Sequence, residues 1–362
     1  MTLNFATILT ILRILSIPLI VFFYVYEEGV YRNISAYIFL FALITDFFDG
    51  LVARNFNQYT AFGAFLDPIA DKLLVVVTII LLSSALYPLI STLYLSLTDA
   101  ELENFLNPNY VGFINYIENY EGMWYGVLAD SLFWNSVRNT LVFTIFSISL
   151  EVVLGISFAL IMLIENKLKW FVRAAVLIPW AIPTIVSARM FEWMLQDQFG
   201  IFNYMLIGLG ILEQGKAWTT DPQTSMIVII IIDAWKTSPF VAILVYAGLK
   251  ALPNEVLEAG KVDGTNGITQ FYYIIFPLIL PAIAVAIVFR GLDALRVFDL
   301  IYLINAGSKD IMSMTVYARR EMFEYSHFGF GAAASTMLTL IIGVIAVIFI
   351  QRTRLHKLDE ME

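Results

Sequence analysis

Four aspartates near the N-terminus are the residues best suited to carry out chemistry. Asp46 and Asp49 are three residues apart, and Asp67 and Asp71 are four apart, so each pair shares one face of a helix. Clustered carboxylates raise one another's pKa values unless a cation lies among them. Mg²⁺ takes oxygen ligands and bridges substrate phosphates, and two such ions stabilise displacement at phosphorus. The pattern predicts a magnesium site that holds a pyrophosphate.

Small and basic residues are interleaved with these aspartates. Gly50 and Gly63 leave room for a nucleotide to approach the backbone, and Arg54 is placed to pair with a phosphate. Together with Ala53, the residues follow the order D-x2-D-G-x2-A-R-x8-G-x3-D-x3-D. An upstream segment reads T-x2-T-x2-R-x4-P, from Thr7 to Pro18.

These two motifs resemble the CDP-alcohol phosphatidyltransferases, especially the phosphatidylglycerophosphate synthases. The resemblance implies that Asp46, Asp49, Asp67 and Asp71 are metal ligands and that Asp71 is also the general base for the attacking hydroxyl. It implies nucleotide binding at Gly50, Ala53, Arg54 and Gly63. The resemblance stops near residue 78, before the later helices of that fold, and positioning of two substrates supplies much of such catalysis.

The elements that position these residues are membrane spans. The chain has 362 residues, of which 60% are hydrophobic and 14% charged, against about 25% charged in soluble domains. Apolar stretches of about 20 residues are typical of transmembrane helices. We therefore predict an all-α polytopic membrane protein with eight spans, near 5–26, 34–52, 72–97, 139–163, 171–195, 225–249, 273–296 and 331–351.

Basic residues in short loops predict the orientation of these spans. The loop 164–173 and the C-terminal tail are basic, whereas the loop 98–130 is acidic. Both termini are predicted on the cytoplasmic side of the cell membrane, with 250–272 inside and 98–138 outside. The third span runs on from Asp71 without a break, so we place the junction within it and divide the chain into 1–78 and 79–362.

A second motif lies in the predicted cytoplasmic segment 251–277. Glu258, Ala259 and Gly260 are followed after three residues by Gly264, and nine residues later by Ile274 to Pro277. A short amphipathic helix here can dock in a groove of a partner protein, and small residues allow close approach. Gly264 can end the helix. Glu258 and Asp263 offer charge pairs, and Pro277 fixes how the next span leaves the membrane surface.

From about Leu86 onwards the chain resembles the permease subunits of carbohydrate ABC importers of the maltose/trehalose type. The resemblance includes LYPLISTLYLSLTD (86–99), WKTSPF (235–240) and the coupling motif at 258–277. It implies the six-helix bundle of a type I importer. It also implies an ATPase subunit dimer docking at Glu258, Ala259, Gly260, Asp263, Gly264 and Pro277. Further implied partners are a second homologous permease, an extracytoplasmic sugar-binding protein and membrane lipids.

Several chemistries are disfavoured by the composition. The chain contains no cysteine, which removes thiol chemistry and cysteine-ligated metals. A net charge of −9 argues against nucleic acid as a partner. No G-x4-G-K-[ST] motif occurs, so a partner subunit must bind ATP, and transport itself needs no cofactor in this chain. Magnesium remains an expectation for the N-terminal aspartates alone.

Charged residues inside the later spans are candidate functional residues: they are Glu151, Asp233, Lys236, Arg290, Asp293 and Arg296. Arg290 with Asp293, and Asp233 with Lys236, are one turn apart, so we expect pairing or boundary placement rather than substrate contact. The sugar-binding residues are not identified.

Three interpretations of the whole chain follow. The first is a transport subunit, not itself an enzyme, with an appended transferase fragment. The second is a Mg²⁺-dependent transferase or a bifunctional fusion. The third is a junction made by recombination or by an error in the recorded sequence, and transcripts spanning codons 73–86 would decide it.

Overall fold

The computed structural model describes residues 86–352, apart from 165–166 and 306–307, and short stretches at 15–16, 19–20, 34–41, 44 and 72. The chain divides into two compact units, Met1–Ser91 and Thr92–Glu362. In the first unit, residues 34–41 are helical, and the Ser35 hydroxyl donates a 2.8 Å hydrogen bond to the carbonyl of Ile20. The predicted spans 5–26 and 34–52 and the part 73–85 of the predicted span 72–97 lie largely outside the described residues.

From Leu86 onwards the described chain is helical with one short hairpin. Its elements are α1 (Leu86–Leu95), β1 (Glu118–Tyr120), β2 (Met123–Tyr125), α2 (Ser131–Leu163), α3 (Lys169–Ala181), α4 (Thr184–Met194), α5 (Ile201–Gly208), α6 (Ser225–Lys250), α7 (Asn254–Val262), α8 (Gly267–Ala294), α9 (Asp299–Asn305), α10 (Met314–Phe323) and α11 (Phe328–Arg352).

Within the described residues, four helices are long and apolar enough to cross a membrane. They are α2, α6, α8 and α11, and they contain or closely match the predicted spans 139–163, 225–249, 273–296 and 331–351. Each exceeds the length of about 20 residues that the hydrocarbon core requires. The sequence pattern therefore located these four spans correctly.

The predicted span 171–195 is not one continuous helix. The chain bends by 92° between α3 and α4, at Ile182 and Pro183. Proline disfavours helical geometry in the preceding residue, and Ile182 accordingly adopts an extended conformation with φ −75° and ψ 130°. The two apolar helices form either a broken span or a re-entrant pair.

A β-hairpin interrupts the segment before α2. Strands β1 and β2 pair antiparallel, with Tyr120 opposite Met123. The two connecting residues, Glu121 and Gly122, have φ values of 52° and 81°. Positive φ at both positions is the property of a type I′ turn, which matches the twist of the flanking strands.

Helices α2 and α6 form the packed centre of the second unit. They approach closely because Gly155 of α2 has no side chain: a methyl group there would lie 2.6 Å from Val241 Cγ1. Val241 and Val245 of α6 are fully buried, together with Ile279 and Ile283 of α8. This contact among α2, α6 and α8 positions the charged residues Glu151, Asp233 and Arg290, which lie on these three helices.

Candidate functional site

The turn after α7 has the geometry of a Schellman motif. Gly264 adopts φ +81°, a left-handed conformation that favours glycine. Its N–H donates to the carbonyl of Lys261 at 3.1 Å, and the N–H of Thr265 donates to that of Gly260, also at 3.1 Å. These two bonds satisfy carbonyl groups that a helix end otherwise leaves without partners. Helix α7 thus ends at Val262, and Gly264 provides the left-handed turn that terminates it, as the sequence predicts.

Helix α7 packs on its own connection to α8 through one small residue. Gly260 is buried, and a methyl group there would lie 2.5 Å from Ile274 Cδ1. The Gln270 side chain donates a 2.6 Å hydrogen bond to the carbonyl of Leu257. Glycine lowers helix propensity, but at this position it allows close contact between α7 and the start of α8.

The opposite face of α7 is exposed. Glu258 and Ala259 lie on this face, and Asp263 is exposed in the turn. The neighbouring Val262 is 87% exposed and Tyr273 is 79% exposed. This combination of apolar and acidic groups on a short helix is typical of a surface that docks in a partner's groove.

The turn after α7, residues 263–266, leads without interruption into a membrane-length helix. The Asn266 side chain caps the start of α8 by accepting from the N–H of Thr269 at 2.8 Å. A π-helical turn follows at Phe271–Ile275, and Pro277 stands at the first positions of the α-helical segment that continues to Ala294. Proline is tolerated in the first turn of such a segment.

A buried ionic cluster connects three membrane-length helices. Glu151 of α2 has no exposed surface, and its two carboxylate oxygens accept from Arg290 Nε at 2.6 Å and from Nη2 at 2.8 Å. Asp233 of α6 accepts from Arg290 Nη2 at 3.1 Å. The Ser147 hydroxyl lies 2.5 Å from Asp233 Oδ2 and 2.9 Å from Glu151 Oε1.

Helical spacing predicts that Arg290 pairs with Asp293 and that Asp233 pairs with Lys236. The structure contains the first pair but not the second. Arg290 Nη1 donates to the carboxylate of Asp293, one turn along α8. Asp233 pairs across helices with Arg290 rather than with Lys236, because Arg290 faces it from α8. Spacing within one helix identifies only local partners, and the partner from another helix was decided by packing. The Arg296 guanidinium donates to the carbonyl of Leu292 at 3.1 Å.

A polar cavity of about 170 Å³ lies beside this cluster. Asp233, Arg290 and Asp293 contribute to its wall. The remaining charged or hydroxyl side chains that line it are Thr184, Lys236, Thr237, Arg296 and Asp299. All six predicted intramembrane charges are therefore either in this cavity wall or, for Glu151, directly behind it.

The predicted transferase residues lie outside the described residues: they are Asp46, Asp49, Gly50, Ala53, Arg54, Gly63, Asp67 and Asp71. Among the residues that the structure does describe, no group of three or more His, Cys, Asp or Glu side chains is arranged to hold a metal ion. The predicted magnesium site stays a prediction.

Comparison with known proteins identifies the family. The family model described as "Binding-protein-dependent transport system inner membrane component" matches residues 151–355, more than half of the chain. The chain belongs to this family. It is therefore a multi-pass membrane permease subunit of a binding-protein-dependent transport system. The family match covers both the cluster from Glu151 to Arg290 and the turn at Gly264.

Relatives and solved structures agree with this membership. The trehalose/maltose transport system permease protein MalF of Thermococcus litoralis is 35% identical over 249 residues, which are 68% of this permease and 81% of the relative. The trehalose transport system permease protein SugA of Mycobacterium tuberculosis is 34% identical over 269 residues, covering 73% and 82%. A bacterial ABC transporter involved in importing the acidic polysaccharide alginate superposes with TM-score 0.67 at 22% identity, covering 80% of this permease and 98% of that chain. The fold prediction of a helical importer subunit is confirmed.

The N-terminal part of the permease matches a second family. The model of the CDP-alcohol phosphatidyltransferases matches residues 3–101. This match supports the fusion inferred from the aspartate motif. The domain limits 1–78 and 79–362 remain predictions.

The sequence pattern did not identify two polar residues, Ser147 in the ionic cluster and Gln270 at the start of α8. Ser147 stands one helical turn before Glu151 and contacts both buried carboxylates. Gln270 fastens α7 to α8. For Ser147 the signal was available, since a hydroxyl four residues before a buried acid shares its helix face. Nothing in the local sequence of Gln270 distinguished it from a solvent-exposed glutamine.

Proposed function

We propose that this permease is the membrane subunit of an ATP-driven sugar importer. The family description implies delivery of substrate by a binding protein, and the two relatives described above are trehalose or trehalose/maltose permeases. The observation that carries the proposal is the segment 254–266, which consists of the short helix α7 and the turn after it and is called the coupling turn below. It has an exposed face suited to docking and leads directly into α8.

The ATPase partner docks on the exposed face of α7 in this proposal. Two ATPase subunits bind ATP and close, and each pushes on the coupling turn of one permease. A second homologous permease completes the translocation path. The rigid turn at Gly264 and the bond from Gln270 to Leu257 make the turn and the start of α8 move together.

The polar cavity beside Arg290 is the part of the path that this chain contributes. Its carboxylates, guanidinium groups and hydroxyl groups are hydrogen-bonding partners for sugar hydroxyls, and charged groups inside a membrane bundle typically face such a pathway. The basic C-terminal tail supports a cytoplasmic location for both termini in this proposal. An extracytoplasmic sugar-binding protein delivers the substrate to the opposite side.

Replacing Gly264 by valine tests the coupling role. A β-branched residue at φ +81° is strained, by about 1–2 kcal/mol for left-handed geometry, so the Schellman turn should open. We expect uptake of the transported sugar to fall at least about tenfold, since the strain alone corresponds to roughly that factor. The measurement is radiolabelled trehalose or maltose uptake in cells, normalised to the amount of the permease in the membrane.

Gly267→Ala is the matched control for this substitution. Gly267 begins α8, a methyl group there meets open space, and its backbone is not left-handed. Uptake should therefore stay near the unmodified level. Normal uptake in Gly264→Val, with the ATPase subunits still bound, would contradict the coupling role.

A second function is favoured by the N-terminal family match. We propose that Asp46, Asp49, Asp67 and Asp71 hold Mg²⁺ and that the segment retains a CDP-alcohol phosphatidyltransferase chemistry. Gly50, Ala53, Arg54 and Gly63 would bind the nucleotide. Asp71 would take the proton from the attacking hydroxyl.

Transfer of the phosphatidyl group from a CDP-lipid to an added acceptor alcohol, with release of CMP, by the purified full chain tests this second function. Release should require Mg²⁺ and be lost in Asp67→Asn, since a neutral amide is a poorer ligand for a hard cation than a carboxylate. Glu118→Gln, in the hairpin far along the sequence from the motif, is the control. No release from the unmodified chain in any divalent cation would rule the activity out.

A further inference from the structure

We propose that Glu151 is a positioning residue for translocation: it holds Arg290 at the wall of the polar cavity and thereby sets α8 against α2 and α6. The inference rests on the proposed transport function and assigns a role within it to a residue that lines neither the cavity nor the coupling turn.

The contacts of Arg290 are unequal, and this inequality identifies Glu151 as the anchor. Glu151 accepts two hydrogen bonds, at 2.6 and 2.8 Å, in the two-point geometry that fixes a guanidinium most firmly. Asp233 accepts one, at 3.1 Å. The Asp293 carboxylate is on the same helix as Arg290 and is 69% exposed, so it cannot fix α8 relative to another helix.

Glu151 and Arg290 are both buried, so the charge of each needs a partner of opposite charge. Glu151 is 0% exposed and the Arg290 side chain is 6% exposed. A buried charge that loses its partner is strongly unfavourable, and more so within a membrane bundle, where water does not compensate. Arg290 must therefore stay at Glu151 or move to another carboxylate when α8 shifts.

Helix α8 connects this anchor to the coupling turn. Gly267 is the first residue of α8 and Arg290 lies near its end. At 1.5 Å per residue, the two are separated by about 35 Å along the helix axis. A continuous helix carries displacement of its first turn along its axis. The guanidinium at the far end then moves relative to Glu151, and the shape of the cavity wall changes with it.

Hydrogen-bond counting predicts that Asp233 tolerates loss of its charge. The Ser147 hydroxyl has one proton but lies within hydrogen-bond distance of Asp233 at 2.5 Å and of Glu151 at 2.9 Å. It can donate to only one of them. With asparagine at 233, the amide oxygen still accepts from Arg290 Nη2 at the position of Asp233 Oδ2, and the Ser147 hydroxyl donates to Glu151. Asp233→Asn is therefore matched in size and position to Glu151→Gln but should preserve the anchor.

The natural absence of cysteine makes the experiment direct. A single cysteine is introduced at Ala294, which lies one turn after Arg290, lines the cavity and is 2% exposed. Its reaction with a water-soluble thiol reagent is measured in the full chain, assembled with its partner subunits in native membranes. We expect Glu151→Gln to raise the labelling rate about tenfold or more, because Arg290 loses its two-point carboxylate partner and shifts towards Asp233 and Asp293.

Two further variants separate positioning from general stability. Glu151→Asp keeps the charge and should restore labelling close to the parent rate, as should Asp233→Asn. The apparent KM for sugar uptake should rise about tenfold in Glu151→Gln while the amount in the membrane is unchanged. A cysteine at Val127, which is fully buried and does not line the cavity, reports any general unfolding and should stay unreactive in all variants.

Equal labelling in Glu151→Gln and Asp233→Asn, whether raised or unchanged in both, would overturn the positioning role. So would labelling of the cysteine at Val127 in Glu151→Gln, since this would show general unfolding. If Ala294→Cys does not insert, Val297→Cys in the same cavity wall replaces it. The labelling assay does not depend on sugar transport, so failure of the transport proposal alone would abolish uptake in every variant without equalising the labelling rates.

Discussion

Asp130 illustrates how one side chain determines the junction of two elements. Its Oδ1 accepts from the N–H of Leu132 at 2.8 Å and so caps α2. Its Oδ2 accepts from the Tyr317 hydroxyl of α10 at 2.5 Å. Burial, together with this hydrogen bond, raises the pKa of Tyr317 well above its usual range, so the hydroxyl stays a donor. The capping preference is visible in the sequence, but the partner 187 residues away is not.

Tyr317→Phe should destabilise the full chain by about 1–3 kcal/mol, the cost of leaving a partly buried carboxylate oxygen without a partner. Thermal unfolding in detergent measures the change. Tyr110→Phe is the control, because Tyr110 is 67% exposed and should have little effect. An unfolding temperature for Tyr317→Phe equal to that of the control would show that the bond contributes nothing.

Close packing between helices depends on glycine residues at the contact points. Gly155 permits α2 to approach α6, and Gly260 permits α7 to approach the start of α8. Each glycine costs helix propensity, about 1 kcal/mol relative to alanine, and the close contact offsets this cost. Pro183 acts oppositely by breaking a helix that apolarity alone predicted to be continuous.

Gly155→Ala should separate α2 from α6 and destabilise the chain by about 1–3 kcal/mol, the typical cost of overpacking. The added methyl group would lie 2.6 Å from Val241 Cγ1 and 3.2 Å from the backbone N of Ala242, which cannot rotate away. Gly343→Ala in α11 adds a methyl group in open space and should be neutral or slightly stabilising. Equal unfolding temperatures for the two variants would contradict this account of the helix contact.

The whole molecule combines two families on one chain. The transferase match covers 3–101 and the permease match 151–355, so the two do not overlap. The two proposed activities should therefore be separable. Asp67→Asn is expected to abolish CMP release and leave sugar uptake unchanged, whereas Gly264→Val should have the opposite effect. A substitution that abolishes both would indicate that the activities depend on each other.

The sequence by itself determined the features that depend on neighbouring residues, namely the positions of membrane spans and of one helix end. Apolar runs located four spans, because length and hydropathy decide membrane insertion. The glycine at 264 predicted the end of α7, because few residues adopt its left-handed backbone. The proline rule also predicts the break at Ile182, and the apolar run from 171 to 195 concealed it.

Only the tertiary structure decided how distant residues meet. Glu151, Asp233 and Arg290 are recognisable in the sequence as costly intramembrane charges, yet their mutual pairing joins residues up to 139 positions apart. Ser147 and Gln270 acquire their roles from neighbours on other helices or turns. Helix spacing fixes which residues share a face, whereas packing of one helix against another fixes which faces meet. The charge cluster and the cavity beside it therefore come from the fold.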